Sequence, residues 1–144
     1  MAQQPEGMTG RYSGGCLCGA VRFEVSGPGS NLCYCHCNSC RRAAGAPAVA
    51  WGTFAYGGFR VTRGTLTEYR SSPPVRRGFC AACGGALTYR HEARAGEIDV
   101  TLASLDEAAS LAPRMHVWVG DKLPWVLIAD DLPQFAAVPR PPGD

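Results

Sequence analysis

Cys33-Tyr-Cys-His-Cys-Asn-Ser-Cys40 carries half of the eight cysteines in this chain of 144 residues. The other four stand in two short pairs, Cys16-Leu-Cys18 and Cys80-Ala-Ala-Cys83. Cysteines this close in sequence cannot easily all pair as disulfides, whereas they suit the tetrahedral coordination of a metal ion. The spacing therefore predicts a protein that binds two zinc ions.

The two outer pairs predict a closed structural site. In an extended chain, residues i and i+2 point to the same side, so Cys16 and Cys18 can face one ion. Cys80 and Cys83, followed by two glycines, have the spacing of a tight turn that presents two thiolates to one ion. A site with all four thiolates would hold strands together and contribute folding free energy directly.

The central stretch has one cysteine more than an open metal site needs. Cys33, Cys35 and Cys37 alternate along one face of an extended chain, and Cys40 follows at turn spacing. Either all four close a second structural site, or three bind the ion and leave a position for water or substrate. Spacing alone leaves both arrangements open.

An ion held by three thiolates is electron-rich and a weak Lewis acid. It suits a soft fourth ligand, such as a substrate thiol, better than it suits making hydroxide at neutral pH. Arg41 and Arg42 directly follow Cys40. Either they compensate the thiolate charge, lower the pKa of the thiols or hold a substrate carboxylate, or they are solvated surface residues.

The histidines are expected to be ordinary residues rather than metal ligands. His36 lies between two ligands that share a face, so it should point away from them, at the surface or behind the site. His91 and His116 are not expected to bind metal. The tryptophans are each expected either to pack in the core or to form the wall of a substrate pocket: Trp51, Trp118 and Trp125.

Composition favours one domain that neither spans a membrane nor binds nucleic acid. Hydrophobic residues make up 46% of the chain and charged residues 18%, and no apolar run approaches the roughly 20 residues of a membrane helix. The net charge of +2 gives no electrostatic attraction to nucleic acid. Residues 1–10 are polar and contain no signal-peptide core, so we expect a cytoplasmic protein with reduced cysteines.

The rest of the chain predicts a mainly β fold of short antiparallel strands. The 18 glycines and 11 prolines favour many turns. Apolar or alternating segments predict strands at 21–25, 47–56, 75–79, 86–90, 97–102, 115–119 and 125–129. Segments 59–63 and 66–70 predict a hairpin across Gly64.

One or two short helical segments interrupt the predicted strands. A helical turn is expected over 41–44, with Asn38 or Ser39 as its cap. Another is expected over 108–111, because Ser104-Leu-Asp-Glu107 has the spacing of a capping box.

Four blocks of this sequence resemble those of a known family. The blocks are Gly14-Gly-Cys-Leu-Cys-Gly-Ala-Val21, Cys35-His-Cys-Asn-Ser-Cys-Arg-Arg42, Gly78-Phe-Cys-Ala-Ala-Cys-Gly84, and a last block from His116-Val-Trp118 through Pro124-Trp125 to Asp131-Leu-Pro133. In this order they resemble the glutathione-dependent formaldehyde-activating enzyme family, which also includes centromere protein V. The resemblance runs from about Tyr12 to Phe135.

The resemblance implies a fold and a ligand set. It implies a zinc β-tent domain over residues 12–135, between tails at 1–11 and 136–144. It implies a structural zinc on one set of cysteines and a second zinc on another, which leaves Cys33 as a spare thiol. From its place next to Cys40, Arg41 is a candidate for substrate binding, and as possible pocket walls Trp51 and Trp118 are candidates too. The two ligand sets are Cys16, Cys18, Cys80 and Cys83, and Cys35, Cys37 and Cys40.

The family's named activity implies a carbon–sulfur lyase that condenses formaldehyde with glutathione to S-(hydroxymethyl)glutathione. Two other classes of function compete with this hypothesis. One is a non-catalytic zinc scaffold that binds a partner protein or a small thiol. The other is a nucleic-acid-binding zinc protein, which is the weakest because the net charge is near neutral and no basic recognition helix is evident. Nothing in the sequence indicates an oligomeric state.

Overall fold

The computed structural model describes residues 10–139, and this range is mainly β, as predicted. Within it, ten strands form two sheets, accompanied by one α-helix and several single 3-10 turns. Residues 1–9 and 140–144, which contain most of the two expected tails, lie outside the described residues. No helix in the described range is long and apolar enough to cross a membrane.

The strands divide unequally between the two sheets. The smaller sheet has the order β1 (Arg11–Gly15), β2 (Arg22–Ser26) and β5 (Phe59–Arg63). The larger has the order β10 (Met115–Val117), β3 (Ser30–Cys35), β4 (Val49–Ala55), β9 (Glu97–Thr101), β8 (Ala86–His91), β7 (Val75–Phe79) and β6 (Thr67–Ser72). These pairs are antiparallel except that of β10 with β3, which is parallel.

Alternation of apolar and polar residues decides which strand faces are buried. In β2, Phe23 and Val25 are fully buried, whereas Arg22 and Glu24 remain partly exposed. The main core lies between the sheets and contains residues from both, including Phe23, Phe54, Leu87, Ile98 and Val100. A smaller hydrophobic group lies around the central cysteines and contains Cys33, Cys35, Cys40, Val49, Trp51 and Val117.

Helix α1 spans Asn38–Ala44 and positions the last central cysteine. Its N-cap is Cys37, whose Sγ accepts the backbone N–H of Cys40 at 3.3 Å, instead of the expected Asn38 or Ser39. The helix ends at Gly45, which has the left-handed φ of 61° that suits a glycine cap. A sulfur therefore replaces the expected amide or hydroxyl as the cap.

The hairpin predicted across Gly64 is wrong. Strand β5 pairs with β2, whereas β6 pairs with β7 in the other sheet. Gly64 has φ of 71°, and a Cβ placed there would lie 2.0 Å from the carbonyl oxygen of Ala20. The chain therefore crosses between the sheets at a point that only glycine accommodates.

The capping box predicted at Ser104 is also wrong. The Ser104 hydroxyl donates to the carbonyl oxygen of Thr101 at 2.8 Å instead of capping a following helix. Ala108–Ser110 forms a single 3-10 turn without a side-chain cap. A serine hydroxyl can donate to a nearby backbone carbonyl instead of capping a helix, and here this local bond forms in place of the predicted cap.

The strand predicted over 125–129 does not form. After β10, the ammonium group of Lys122 donates to the carbonyl oxygens of Leu123 and Val126, which holds the chain in a turn. Trp125 is 69% exposed and Leu127 is 87% exposed. Trp125 is therefore not a core residue.

Candidate metal centres

The first cluster unites four cysteine sulfurs from two loops. Cys16 and Cys18 follow β1 of the smaller sheet, and Cys80 and Cys83 follow β7 of the larger one. The four Sγ atoms lie within 4.8 Å of one another, with 3.7 Å between Cys16 and Cys18 and 3.8 Å between Cys18 and Cys80. Four sulfurs about 2.3 Å from a tetrahedral zinc would be about 3.8 Å apart. The residues present therefore fit a zinc ion.

Backbone N–H groups prepare the first cluster for a cation. The N–H of Val21 donates to Cys16 Sγ at 3.2 Å, and this bond, together with the neighbouring thiols, lowers the pKa of Cys16 to about 6. The carbonyl oxygen of Cys80 accepts the N–H of Gly84 at 2.7 Å, which closes the turn between the second pair of cysteines. Thiolates held by backbone donors in a fixed loop are suitable metal ligands.

The second cluster contains Cys35, Cys37 and Cys40, whose Sγ atoms also lie within 4.8 Å of one another. Cys35 is the last residue of β3, Cys37 caps α1 and Cys40 lies in the first turn of that helix. Cys35 and Cys40 are buried and Cys37 is half-buried. Across residues 10–139, these two clusters are the groups of three or more side chains that can hold a metal ion.

Cys33 lies beside the second cluster without belonging to it. It is buried on β3 and is paired in register with Trp51 on β4. Burial raises the pKa of the Cys33 thiol to about 12, so the thiol stays protonated at neutral pH. The assignment of Cys33 as a spare thiol remains a prediction, and its separation from the three-cysteine group supports it.

The three clustered thiols share their protons unequally. Hydrogen bonds with Cys35 and Cys40 hold the pKa of Cys37 well below its usual range. The corresponding contacts with Cys37 and Cys40 raise the pKa of Cys35. Within this group, Cys37 therefore loses its proton more readily than Cys35.

Arg77 is the cation that contacts the second cluster, and sequence analysis did not identify it. Its Nη1 and Nη2 atoms lie 3.7 Å and 3.8 Å from Cys40 Sγ, and its Nε donates to the hydroxyl of Ser71 at 3.2 Å. Arg41, the candidate from sequence, instead donates to the side-chain oxygen of Asn38, and Arg42 is exposed. The arginine partner of Cys40 thus comes from strand β7.

Aromatic side chains lie next to the second cluster. Tyr89 packs against the hydrophobic group that surrounds these cysteines, with its ring 6.1 Å from that of Trp51 and 5.0 Å from the guanidinium carbon of Arg77. Trp51 is buried, and its Nε1 has no hydrogen-bond partner among residues 10–139. Trp118, with φ of 56°, is 39% exposed and does not belong to the packed cluster. Of the tryptophans proposed from sequence, Trp51 adjoins this centre.

A chain of hydrogen bonds on the other face of β3 runs from two buried histidines to an exposed carboxylate. His36 Nε2 is 2.9 Å from His116 Nδ1, and His116 Nε2 is 2.9 Å from the nearer carboxylate oxygen of Asp130. A carboxylate only accepts, so His116 donates to Asp130 and accepts from His36. This bond with His116 holds the pKa of Asp130 below its usual value.

The same network fixes the position of His36. His36 and His116 are 2% and 5% exposed, so His36 is buried behind the ligands and is not a surface residue. The ring of Tyr34 stacks on that of His116, with 4.8 Å between the ring centroids. The strand register places Tyr34 and His116 on one face of the sheet and Cys35 on the other. His36 therefore points away from the ligands, as expected from its place between them.

A family model and two proteins of known name are similar to this chain in sequence. A family model described as glutathione-dependent formaldehyde-activating enzyme matches residues 11–121. A Halomonas elongata protein provisionally named as such an enzyme is 32% identical over 127 residues, which cover 80% of this chain and 79% of that protein. A Schizosaccharomyces pombe protein named as an uncharacterised lyase is 29% identical over 80 residues, which cover 56% of this chain and 58% of that protein.

A solved structure also resembles this fold. The crystal structure of a Rhodobacter sphaeroides protein superposes with a TM-score of 0.57 and 30% sequence identity. The match covers 66% of this chain and 88% of the other. The likeness therefore extends over most of the described residues.

Proposed function

We propose, from the premise that the chain belongs to the glutathione-dependent formaldehyde-activating enzyme family, that it binds zinc at both clusters and joins a thiol to formaldehyde at the second. The observation that supports this most strongly is the grouping of Cys35, Cys37 and Cys40 without Cys33. Three protein ligands with one position left for a substrate are the pattern of catalytic zinc sites, whereas four ligands are that of structural sites.

The proposed reaction is a carbon–sulfur lyase reaction run in the direction of addition. The thiol sulfur bonds to the carbonyl carbon of formaldehyde, and the thiol proton ends on the carbonyl oxygen, so no electrons are gained or lost overall. Zinc held by three thiolates would supply a soft position that favours sulfur as the fourth ligand. The Arg77 guanidinium offsets part of the thiolate charge beside that position. Glutathione is the proposed thiol.

A reducing compartment suits this chemistry. All eight cysteines lie within the described range and are free thiols. Zinc ligation and a free substrate thiol both require reduced sulfur. The cytoplasmic location predicted from the sequence remains a prediction.

The test measures formation of S-(hydroxymethyl)glutathione by zinc-loaded protein, followed by NMR against the uncatalysed rate. Cys37→Ser should lose one zinc and all acceleration, because it removes a ligand from the three-cysteine group. Cys33→Ser is the matched control, and it should keep both zinc ions and full activity. Zinc loss in Cys33→Ser would show that four cysteines close the second site.

The competing function is a non-catalytic zinc scaffold or a protein that binds a small thiol. It would use the same cysteines, so zinc content alone does not separate the two functions. Glutathione binding measured by calorimetry, with no rate acceleration in the same preparation, would support the scaffold and contradict the enzyme.

A further inference from the structure

One face of the larger sheet carries Arg77 toward the second cluster. Residues directly opposite each other in antiparallel strands share a face. The register pairs Arg77 with Tyr89, Tyr89 with Asp99, and Asp99 with Thr53. Thr53 lies two residues from Trp51 on β4, so Trp51 shares that face as well. Arg77 and the aromatic residues beside the cluster therefore line one continuous surface.

Arg77 has hydrogen-bond donors for which residues 10–139 provide no acceptor. A guanidinium has five N–H donors. One donates to Ser71, and Nη1 and Nη2 each direct one to Cys40, so each Nη retains a second N–H. Arg77 forms no salt bridge with a carboxylate in the part of the chain that the structure describes. Its remaining donors are thus available for an anion.

The neighbouring arginine, Arg94, is not available to bind an anion. Arg94 also lies near the Tyr89 ring, at 6.0 Å from its centroid. It forms salt bridges with Asp99 at 2.9 Å and Glu97 at 2.7 Å, so its charge is already compensated. Among the cations around Tyr89, Arg77 is therefore the one that can attract a ligand's negative charge.

Two contacts hold the guanidinium group of Arg77 in place. The hydroxyl of Ser71 fixes Nε, and the guanidinium carbon lies 5.0 Å above the Tyr89 ring, within the range of a cation–π interaction. A guanidinium fixed before the ligand arrives loses less entropy on binding than a free one. Its position beside Cys40 places it within reach of a small molecule whose sulfur occupies the proposed open position.

We propose that Arg77 is the specificity-determining residue of the second centre, and that this centre selects thiols that carry a carboxylate. The carboxylate accepts the unused N–H groups of Arg77 while the sulfur lies beside Cys40. This inference rests on the proposed function, because it requires an open position at the three-cysteine group.

The experiment compares two thiols of nearly equal size by calorimetry with zinc-loaded protein. They are 3-mercaptopropionate, which carries a carboxylate, and 3-mercaptopropionamide, which is neutral. The carboxylate thiol should bind roughly tenfold more tightly, the effect of one charge-assisted hydrogen bond. Arg77→Met should remove this preference and leave the affinity for the amide largely unchanged.

Two further variants serve as controls, with zinc content measured in each. Arg76→Met alters the adjacent arginine, whose side chain points to the other face of β7, and it should keep the preference. Arg77→Lys should keep only part of the preference, because lysine retains the positive charge but lacks the paired N–H donors of a guanidinium. If Arg77→Met loses zinc, Arg77→Lys decides, and an undiminished preference in that variant would overturn the proposal.

The outcomes separate this inference from the proposed function. Equal affinity for the two thiols in the unaltered protein, or a preference that survives in Arg77→Met, overturns the role of Arg77 even if S-(hydroxymethyl)glutathione forms. A preference lost in Arg77→Met without any acceleration of that reaction supports Arg77 and contradicts the enzyme. Failure of both thiols to bind contradicts both proposals.

Discussion

The Cys37 sulfur has two roles at once. It is one of the three clustered cysteines, and it also caps α1 by accepting the N–H of Cys40 at 3.3 Å. A helix as short as Asn38–Ala44 is marginal on its own, so its stability depends on such contacts. A metal ion bound by Cys37 would therefore be coupled to the start of the helix through one atom.

Replacing His116 with Ala should lower the free energy of unfolding by roughly 1–3 kcal/mol, because the buried Nε2–H of His36 then has no acceptor. Urea denaturation at constant zinc concentration measures the loss. His91→Ala is the matched control: among residues 10–139, His91 accepts one N–H, that of Ala93 at a 3-10 turn, so its loss should stay below about 1 kcal/mol. Equal losses in both variants would contradict the importance of the buried bond.

The pH dependence of this network follows from the direction of the Asp130 pKa. His116 lowers that pKa in the folded protein relative to the unfolded chain. The contribution of Asp130 to stability is therefore complete above the unfolded-state pKa and disappears as the pH falls through the folded-state value. In His116→Ala, this part of the acid sensitivity should be absent.

The cysteine pairs could be predicted from sequence because their spacing is local. Strand and turn geometry turns Cys16 and Cys18 to one side, and likewise Cys80 and Cys83, so the grouping of their sulfurs agrees with the spacing. Arg77 could not be predicted, because it reaches Cys40 across 37 residues and only the strand order brings the two together. The nearby Arg41 was a reasonable candidate by sequence distance, yet Asn38 occupies its side chain.

The positions of most strands could be predicted from the sequence, whereas the pairing of the strands in the sheets could not. Alternation along β2 reveals its buried face without any knowledge of its neighbours. The choice between a hairpin and a crossover at Gly64 depends instead on Ala20, which packs there from another part of the chain. The apolar run at 125–129 likewise depends on Lys122, whose bonds to carbonyl oxygens keep it from extending.

Gly64→Ala should lower the free energy of unfolding by more than about 1 kcal/mol, because it combines a left-handed φ with a close approach to the Ala20 carbonyl. Gly57→Ala is the control: a Cβ at Gly57 meets open space, and its φ is not left-handed. Urea denaturation of both variants tests the difference. A Gly64→Ala protein as stable as Gly57→Ala would show that the crossover tolerates a side chain.

At the level of the whole molecule, the two clusters occupy different structural positions. The first brings a loop of the smaller sheet against a loop of the larger one, so a metal ion bound there would hold the two sheets together. The second lies on the larger sheet, between the end of β3 and α1, with Arg77 and Tyr89 beside it. This arrangement fits a division between a structural zinc and a zinc that accepts a substrate.

X-ray absorption at the zinc edge tests this division most directly, with the zinc-loaded protein measured alone, with glutathione and as Cys33→Ser. Seven cysteine sulfurs should be shared between the two zinc ions, with a lighter atom completing the second. Glutathione should replace that atom with sulfur, and Cys33→Ser should leave the spectrum unchanged. Eight cysteine sulfurs, unaffected by glutathione and reduced in Cys33→Ser, would contradict the account.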